Sequence, residues 1–356
     1  MGDSYDNALA ETVKGACPSG RRGRLKRAAA QGMPPTAGGC LPPCLGLGFN
    51  EENSAKAEPW ESVMGKKLLE RLPDFLQALA YPEPPLGIFY SDQPPADGLS
   101  PTPLPGHLPT REKELAGQID WPTIYSNFSC AIGVIWRARK KGKAAYFSAE
   151  RFGCPGGAFY LGYLGPQTEA IAHYISTGIP GRMEGECYFP TPQASRDFFV
   201  YLDPRPAPAG YCILKPLDQF SGDETPELVS FFCRPEIMCG LHQLTSFVTG
   251  DLEVVRSPMG AACSNLITWP LHYLARGENK AVLGGWDPAA RKFFKTDELS
   301  LTVPWPMFLA MLERWQDSFL STKAWRTVRK KIARSARTWG ESRAGAPSHL
   351  GQDARP

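Results

Sequence analysis

Apolar and polar positions recur along the chain with the two periods that distinguish helices from strands. Apolar residues at helical spacing predict helices at 60–80, 123–139, 168–176, 235–248, 259–276, 304–320 and 323–337. Short apolar runs between turn residues predict strands at 85–91, 144–149, 211–215, 228–233, 252–256, 281–283 and 299–303. This alternation predicts an α/β fold, with a mixed α+β arrangement as the alternative.

The same pattern divides the chain into one globular domain and its extensions. Residues 15–53 are rich in Gly, Pro, Ala and Arg and lack periodicity, so they bury too little apolar surface to offset the entropy of ordering. We therefore predict a disordered segment at 1–53 and a single α/β domain at 54–320. A basic helix at 321–339 and a disordered tail at 340–356 follow.

Charge is distributed unevenly along the chain. Residues 321–356 carry nine Lys or Arg against two acidic side chains, whereas residues 54–320 carry 24 basic against 29 acidic side chains. The acidic body argues against nucleic-acid binding by the main domain. In the basic helix, Trp325, Val328 and Ile332 share one face, which predicts a docked helix with a solvated basic side. An acidic partner, a membrane surface or a nucleic acid are the alternative contacts of that side.

Composition predicts a cytoplasmic protein with reduced thiols. The chain has 42% hydrophobic residues, but it has no run of about 18 apolar residues that would span a membrane. The N-terminus lacks the basic and then apolar order of a secretory signal. Ten Cys in 356 residues are too sparse for a disulfide scaffold.

The segment most typical of a binding site is Cys154-Pro-Gly-Gly157, which follows a predicted strand. Adjacent glycines let the backbone approach a ligand, and the thiol adds a soft ligand or nucleophile. Cys130 lies on a predicted helix, and Cys263 lies in a small-residue run that opens another. A thiol near a helix N-terminus has its thiolate stabilised by the dipole. The candidate ligand-binding residues are therefore Cys130, Cys154, Gly156, Gly157 and Cys263. The alternative is a tight turn with packed, unreactive thiols.

Cys130, Cys154 and Cys263 are also the candidate ligands of a metal, an iron–sulfur cluster or haem iron. Their separations are wide and they form no CxxC pair, so the cofactor stays unidentified. No His-x-x-x-His, GxSxG, Walker-type loop or GxGxxG occurs, which argues against zinc hydrolases, serine hydrolases and the common nucleotide-binding folds.

Four sequence pieces in residues 60–335 together resemble the uncharacterised prokaryotic family named domain of unknown function 169. They are Pro84-Pro-Leu-Gly-Ile-Phe-Tyr90; Cys130 with Glu150-Arg-Phe-Gly-Cys-Pro-Gly-Gly-Ala158; Lys215-Pro-Leu217 before Pro226-Glu-Leu-Val-Ser-Phe231; and Ala261-Ala-Cys263 leading to Asp297-Glu-Leu299 and Pro304. The resemblance implies no established reaction. It makes the five candidate residues stronger candidates for ligand binding than other positions, because they coincide with the family's motif pieces. Glu227-Leu-Val stands where the family usually carries Asp-Val-Val, so a role for that Asp does not transfer.

A separate resemblance lies at the N-terminus. Gly2-Asp-Ser-Tyr-Asp-Asn-Ala-Leu-Ala-Glu11 is similar to the end of the catalytic core of insertion-sequence DDE transposases. In that family the matching Glu is the last of three carboxylates that hold two divalent metals. Only Glu11 is present here, so we interpret residues 1–14 as a transposase remnant.

Together these patterns predict a cytoplasmic protein that binds a small ligand or a metal or redox cofactor near the Cys-Pro-Gly-Gly loop. A non-enzymatic binding or accessory module is the first alternative, and a transposase fragment without a complete catalytic triad is the second. Whether the protein is an enzyme is left open.

Overall fold

Seven strands pair into one sheet within the residues that the computed structural model describes, which are 67–103, 130–163, 169–221 and 224–344. The strands are β1 (Leu86–Ser91), β2 (Ala145–Phe147), β3 (Tyr211–Pro216), β4 (Leu228–Cys233), β5 (Val255–Arg256), β6 (Ala281–Gly284) and β7 (Leu299–Pro304). Their order across the sheet is β2-β3-β1-β4-β7-β6-β5. Neighbours are antiparallel except β5 and β6, which run parallel.

Helices cover both faces of this sheet. They are α1 (Leu72–Leu79), α2 (Ala131–Lys141), α3 (Pro155–Tyr160), α4 (Glu169–Ile175), α5 (Pro192–Leu202), α6 (Pro235–Thr249), α7 (Trp269–Ala275), α8 (Pro288–Arg291), α9 (Trp305–Arg314) and α10 (Lys323–Ala344). A π-helical turn over Ser264–Thr268 runs directly into α7. The fold is a mixed α/β domain, as the sequence predicts.

The central strand β4 shows why helices must cover both faces of the sheet. All six of its residues are buried. Because successive side chains of a strand point to opposite faces, Val229 and Phe231 join a core formed with α1, α6, α9 and α10, whereas Leu228 and Phe232 join one formed with α2 and the π-helical turn. A third cluster, around Phe159 of α3, joins α3, α4 and α5. Strands that are apolar along their whole length are typical of sheets whose two faces are both covered.

Several predicted elements change in extent. Of the helix predicted at 60–80, α1 covers Leu72–Leu79, and Pro73 lies in its first turn, where a proline is tolerated. The predicted strand at 252–256 shortens to β5, and the predicted helix at 304–320 ends with α9 at Arg314, followed by two 3₁₀ turns. Helices α3, α5 and α8 were missed. The N-terminal motif, the predicted disorder to residue 53, the start of the helix predicted at 123–139 and the tail beyond 344 lie outside the described residues.

Helix α10 is attached through its apolar side. Trp325 is 2% exposed, and its indole Nε1 donates a hydrogen bond of 2.7 Å to the carbonyl oxygen of Ala78 in α1. A Cβ on Gly240 of α6 would lie 2.5 Å from the Trp325 ring, so this position accommodates the indole only as glycine. Ile332 is also buried, and Val328 packs against the same cluster.

No helix in the described ranges has both the length and the apolar composition needed to cross a membrane.

Replacing Trp325 with Ala tests this attachment. The change removes a buried indole and its hydrogen bond, so we expect the free energy of unfolding to fall by about 3–5 kcal/mol in urea titrations. The control Lys331→Ala, at an exposed position of the same helix, should stay within about 0.5 kcal/mol of the wild type. A loss below about 1 kcal/mol for Trp325→Ala would contradict the docked arrangement.

Candidate functional site

A cavity of about 380 Å³ opens where several helices begin. Cys130 precedes α2, Cys154 precedes α3, and Cys263 lies at the start of the helix that leads through the π-helical turn into α7. Asp287 precedes α8, and a loop at 184–186 closes another side. The cavity is lined by Cys130, Ala131, Ile132, Cys154, Gly156, Gly157, Tyr174, Glu184, Gly185, Glu186, Ala261, Cys263, Asp287, Ala289 and Lys292. All five candidate residues from the sequence are in this set.

Cys154 begins α3 by acting as its N-cap. Its Sγ accepts a hydrogen bond of 3.2 Å from the backbone N–H of Gly157, and Pro155 takes a first-turn position that needs no N–H donor. The predicted Cys-Pro-Gly-Gly turn is therefore the start of a short helix. A Cβ on Gly157 would lie 2.8 Å from the carbonyl oxygen of Phe152, so close packing requires glycine there.

Cys130 occupies the position before α2, not the middle of a helix as predicted. It is half-buried, its side chain accepts no capping hydrogen bond from α2, and the N–H of Gly133 donates to its carbonyl oxygen at 2.9 Å. Burial raises the pKa of the Cys130 thiol, and the nearby backbone amides of Ile132 and Gly133 oppose part of the rise. Cys130 and Cys154 are both partly exposed, whereas Cys263 is buried.

Cys263 is 6% exposed and lies directly before the π-helical turn. Such turns occur mostly as single bulges in α-helices, often beside functional sites. Here the turn lies between Cys263 and Trp269, so a region of altered helical geometry adjoins the cavity.

Burial determines the protonation state of these thiols. It raises the pKa of Cys154 far above the usual value, and Glu186 adds to the rise when it is ionised. Burial likewise raises the pKa of Cys263, and ionised Cys154 or Cys130 would raise it further. The expectation that helix starts would stabilise thiolates is therefore wrong, because desolvation outweighs the dipole. All three groups are protonated thiols at neutral pH.

Glu186 contributes a carboxyl group that the sequence did not single out. The loop is tied to α4, because the N–H of Glu186 donates to the carbonyl oxygen of Tyr174 at 2.7 Å and that of Cys187 to Ser176 at 2.8 Å. The Tyr174 hydroxyl donates to Glu186 Oε1 at 3.2 Å. Burial and the nearby charge of Asp287 raise the pKa of Glu186 to about 8, so its carboxyl is mostly protonated at neutral pH.

Asp287 connects three parts of the cavity wall. Its Oδ1 accepts hydrogen bonds from the N–H groups of Ala289 at 2.9 Å and Ala290 at 3.3 Å, which begins α8. Its Oδ2 accepts from the N–H of Ala262 at 2.8 Å, beside Cys263. The Tyr188 hydroxyl, two residues after Glu186, donates to Oδ1 as well. One buried carboxylate thus holds two helix starts and the 184–186 loop together.

A buried hydroxyl lies beside the cavity. Tyr160 is 2% exposed, and its oxygen has no hydrogen-bond partner among the described residues. Its ring passes 3.7 Å from the place that a Cβ on Gly156 would occupy, and the thiol of Cys263 is close enough to influence the Tyr160 pKa. A buried hydroxyl without a partner costs free energy, so Tyr160 is available as a donor.

Comparison with family models finds one match, over residues 74–314, to domain of unknown function 169, described as uncharacterised ArCR. The chain belongs to this family. No curated protein and no solved structure gives a significant match.

The cavity lies within the part of the chain that matches the family model. Every residue that lines the cavity falls between 130 and 292, inside the matched range. Helix α10 and residues 1–14 fall outside that range.

The geometry of the cavity supports a metal site less than it supports a site for a small ligand. Within the described part of the chain, no group of three or more His, Cys, Asp or Glu side chains is arranged to hold a metal ion. Thiols bind metals as thiolates, and here burial keeps all three protonated.

The raised pKa of Glu186 predicts a specific pH dependence of stability. Between pH 4.5 and 8 the folded chain keeps a proton that the unfolded chain has released, so the free energy of unfolding falls as pH rises through this window. The slope is at most about 1.4 kcal/mol per pH unit. Glu186→Gln removes the titrating carboxyl group, and with it this decrease in the free energy of unfolding. In urea titrations the variant should therefore gain stability relative to the wild type as pH rises from 5 to 8. Glu184→Gln in the same loop is the control, and a pH-independent difference for Glu186→Gln would contradict the assignment.

The exposure and protonation of the thiols predict their order of alkylation. Cys187 and Cys239 are exposed, so iodoacetamide at pH 8 should modify them first, followed by Cys130 and then by Cys154 and Cys263. Peptide mass mapping over time measures this order, and labelling in urea should abolish it. Modification of Cys154 as fast as that of Cys239 would reveal an activated thiolate, contrary to this account.

Proposed function

We propose that this domain of unknown function 169 protein binds a small organic molecule in the cavity lined by Cys130, Cys154 and Cys263. The observation that carries the proposal is the convergence of these three thiols with Glu186 around one cavity.

The size and lining of the cavity support an organic ligand. Ligand pockets occupy about 300–1,000 Å³ and combine apolar walls with a few placed polar groups. This cavity, at about 380 Å³, is at the lower end of that range. Ala131, Ile132 and Ala261 supply apolar wall, and the three thiols and three acidic residues are among the polar positions.

The protonation states indicate the kind of polar group the ligand carries. At neutral pH Glu186 and the thiols hold their protons, so they offer hydrogen-bond donors. Lys292 adds a cationic donor at the edge. These groups complement a ligand with an acceptor oxygen, such as a carbonyl or carboxylate, on a compact apolar body.

An iron–sulfur cluster, haem or another metal is the competing occupant. It would have to displace the protons of Cys130, Cys154 and Cys263, which burial opposes. The transposase resemblance of residues 1–14 stays a prediction and adds no activity here, because two-metal chemistry needs several carboxylates together. The cytoplasmic location also stays a prediction.

Two measurements on anaerobically purified protein test the proposal. Mass spectrometry of the denatured protein should release an organic compound that carries a carbonyl or carboxylate, or else such compounds from a metabolite panel should raise the melting temperature of the protein. Saturation at about 100 times Kd adds about 2.7 kcal/mol of stability. Parallel analysis should find no stoichiometric iron, other metal or acid-labile sulfide.

A pair of variants localises the binding. Ala289 lies at the exposed edge of the cavity, so Ala289→Trp should obstruct it and abolish the stabilisation. Ala324→Trp adds the same side chain at an exposed position of α10, away from the cavity, and should leave binding unchanged. Stoichiometric metal or sulfide, binding that survives Ala289→Trp, or no released or stabilising compound would each reject the proposal.

A further inference from the structure

A groove runs between α1 and α10, on the part of the protein that the cavity does not use. It encloses about 590 Å³, with Leu76, Ala80 and Pro82 on one side and Arg326, Arg329 and Lys330 on the other. A smaller hollow of about 310 Å³ continues it and shares Gln77, Arg326 and Arg329. One wall is thus largely apolar and the other is cationic.

The docking of α10 directs these cations into the groove. Trp325 and Ile332 hold the apolar side of the helix against the body, and the Trp325 indole is hydrogen-bonded to Ala78. Over residues 323–334, whose side chains the structure describes, the apolar side is therefore already covered by the body. The remaining sides, which carry Arg326, Arg329 and Lys330, border the groove and solvent.

The charges at this end of α10 are locally unfavourable. The helix begins at Lys323 and has no acidic residue in its first turn, although the N-terminus of a helix favours negative charge. Arg326 and Lys330 are four positions apart, where like charges repel. Among the described residues, no carboxylate lies within ion-pair distance of Arg326, Arg329 or Lys330. Asp74 lines the smaller hollow, but it forms no ion pair with these cations in the described part of the chain.

We propose that this groove binds an acidic segment of a partner protein, with its carboxylates on Arg326, Arg329 and Lys330. An incoming anion would relieve the repulsion along α10 and complement its N-terminal dipole. The opposite wall, with Leu76, Ala80 and Pro82, fits apolar side chains placed between the acidic ones. Clusters of Arg that face an apolar surface are a recurring means of recognising acidic motifs.

The same observations favour a protein segment over the other anionic partners. A membrane-binding helix needs a free apolar side to insert, and here that side is buried against the body. A nucleic acid would bring a long polyanion next to residues 54–320, which carry 29 acidic and 24 basic side chains. The apolar wall of the groove also offers nothing to a phosphate backbone.

Fluorescence anisotropy with the full-length protein tests the proposal. The probe is a labelled peptide of about 12 residues in which Glu and Asp alternate with Leu, and a peptide with Lys in place of the acids is its control. We expect salt-sensitive binding of the acidic peptide only.

Two charge-matched variants locate the binding. Arg329→Glu with Lys330→Glu reverses two cations of the groove and should weaken binding by about tenfold or more. Lys323→Glu with Lys331→Glu makes the same change in net charge at residues that do not line the groove, and should change binding by less than about threefold. Circular dichroism melting of both variants checks that α10 remains folded.

The proposal would be overturned if the acidic peptide did not bind. It would also be overturned if both variants lost the same amount of binding affinity, because an equal loss indicates unspecific attraction to a basic helix. A labelled single-stranded DNA of about 20 nucleotides and vesicles with anionic phospholipid serve as competing partners. If either binds through Arg329 and Lys330 more tightly than the peptide does, the groove is not a peptide site.

Discussion

The carboxylate of Asp287 is the contact on which the candidate site depends. It is 6% exposed and accepts hydrogen bonds from the starts of two helices and from Tyr188. Burying a carboxylate is costly unless several donors satisfy it, so these segments must stay close together once Asp287 is inside. The cavity is the space that remains where those segments meet. The shape of the cavity therefore depends on the hydrogen bonds that Asp287 accepts from the helix starts as much as on apolar packing.

A second consequence is that the site contains ionisable groups in their neutral forms. Helix starts usually favour anions, and Cys130, Cys154 and Cys263 all lie at helix starts. Backbone amides at these helix starts, however, are already used by Asp287 and by the sulfur of Cys154. Burial therefore prevails and raises the pKa values of the thiols and of Glu186. A cavity of protonated groups is suited to recognising acceptor atoms.

The sequence predicts the parts of this structure that depend on local periodicity. Strand β4 has the predicted bounds, because six consecutive apolar or small residues between turn signals define a doubly covered strand. Helix α5 was not predicted, because its apolar residues Val200 and Tyr201 are exposed and interrupt its amphipathic pattern. Its start was nevertheless marked, because Thr191 caps the N–H of Ala194 and Pro192 follows directly.

The site was predictable only in part for the same reason. The three thiols stood out as Cys residues beside small-residue turns, and the structure brings them to one cavity. Asp287 carried a recognisable signal, an Asp before a Pro at a helix start, that was not used. Glu186 carried none, because its importance comes from burial next to Asp287, about 100 residues away, and no local pattern records such a contact.

The most direct test of this account is hydrogen exchange of Asp287→Ala, followed by mass spectrometry. If Asp287 holds the cavity walls together, peptides that contain Ala262, residues 288–291 and the loop at 184–188 should lose protection together, while those from β3 and β4 keep theirs. Unchanged protection of the 184–188 loop would contradict the account, and so would equal loss of protection in β4, because either result would show that Asp287 does not join these particular segments.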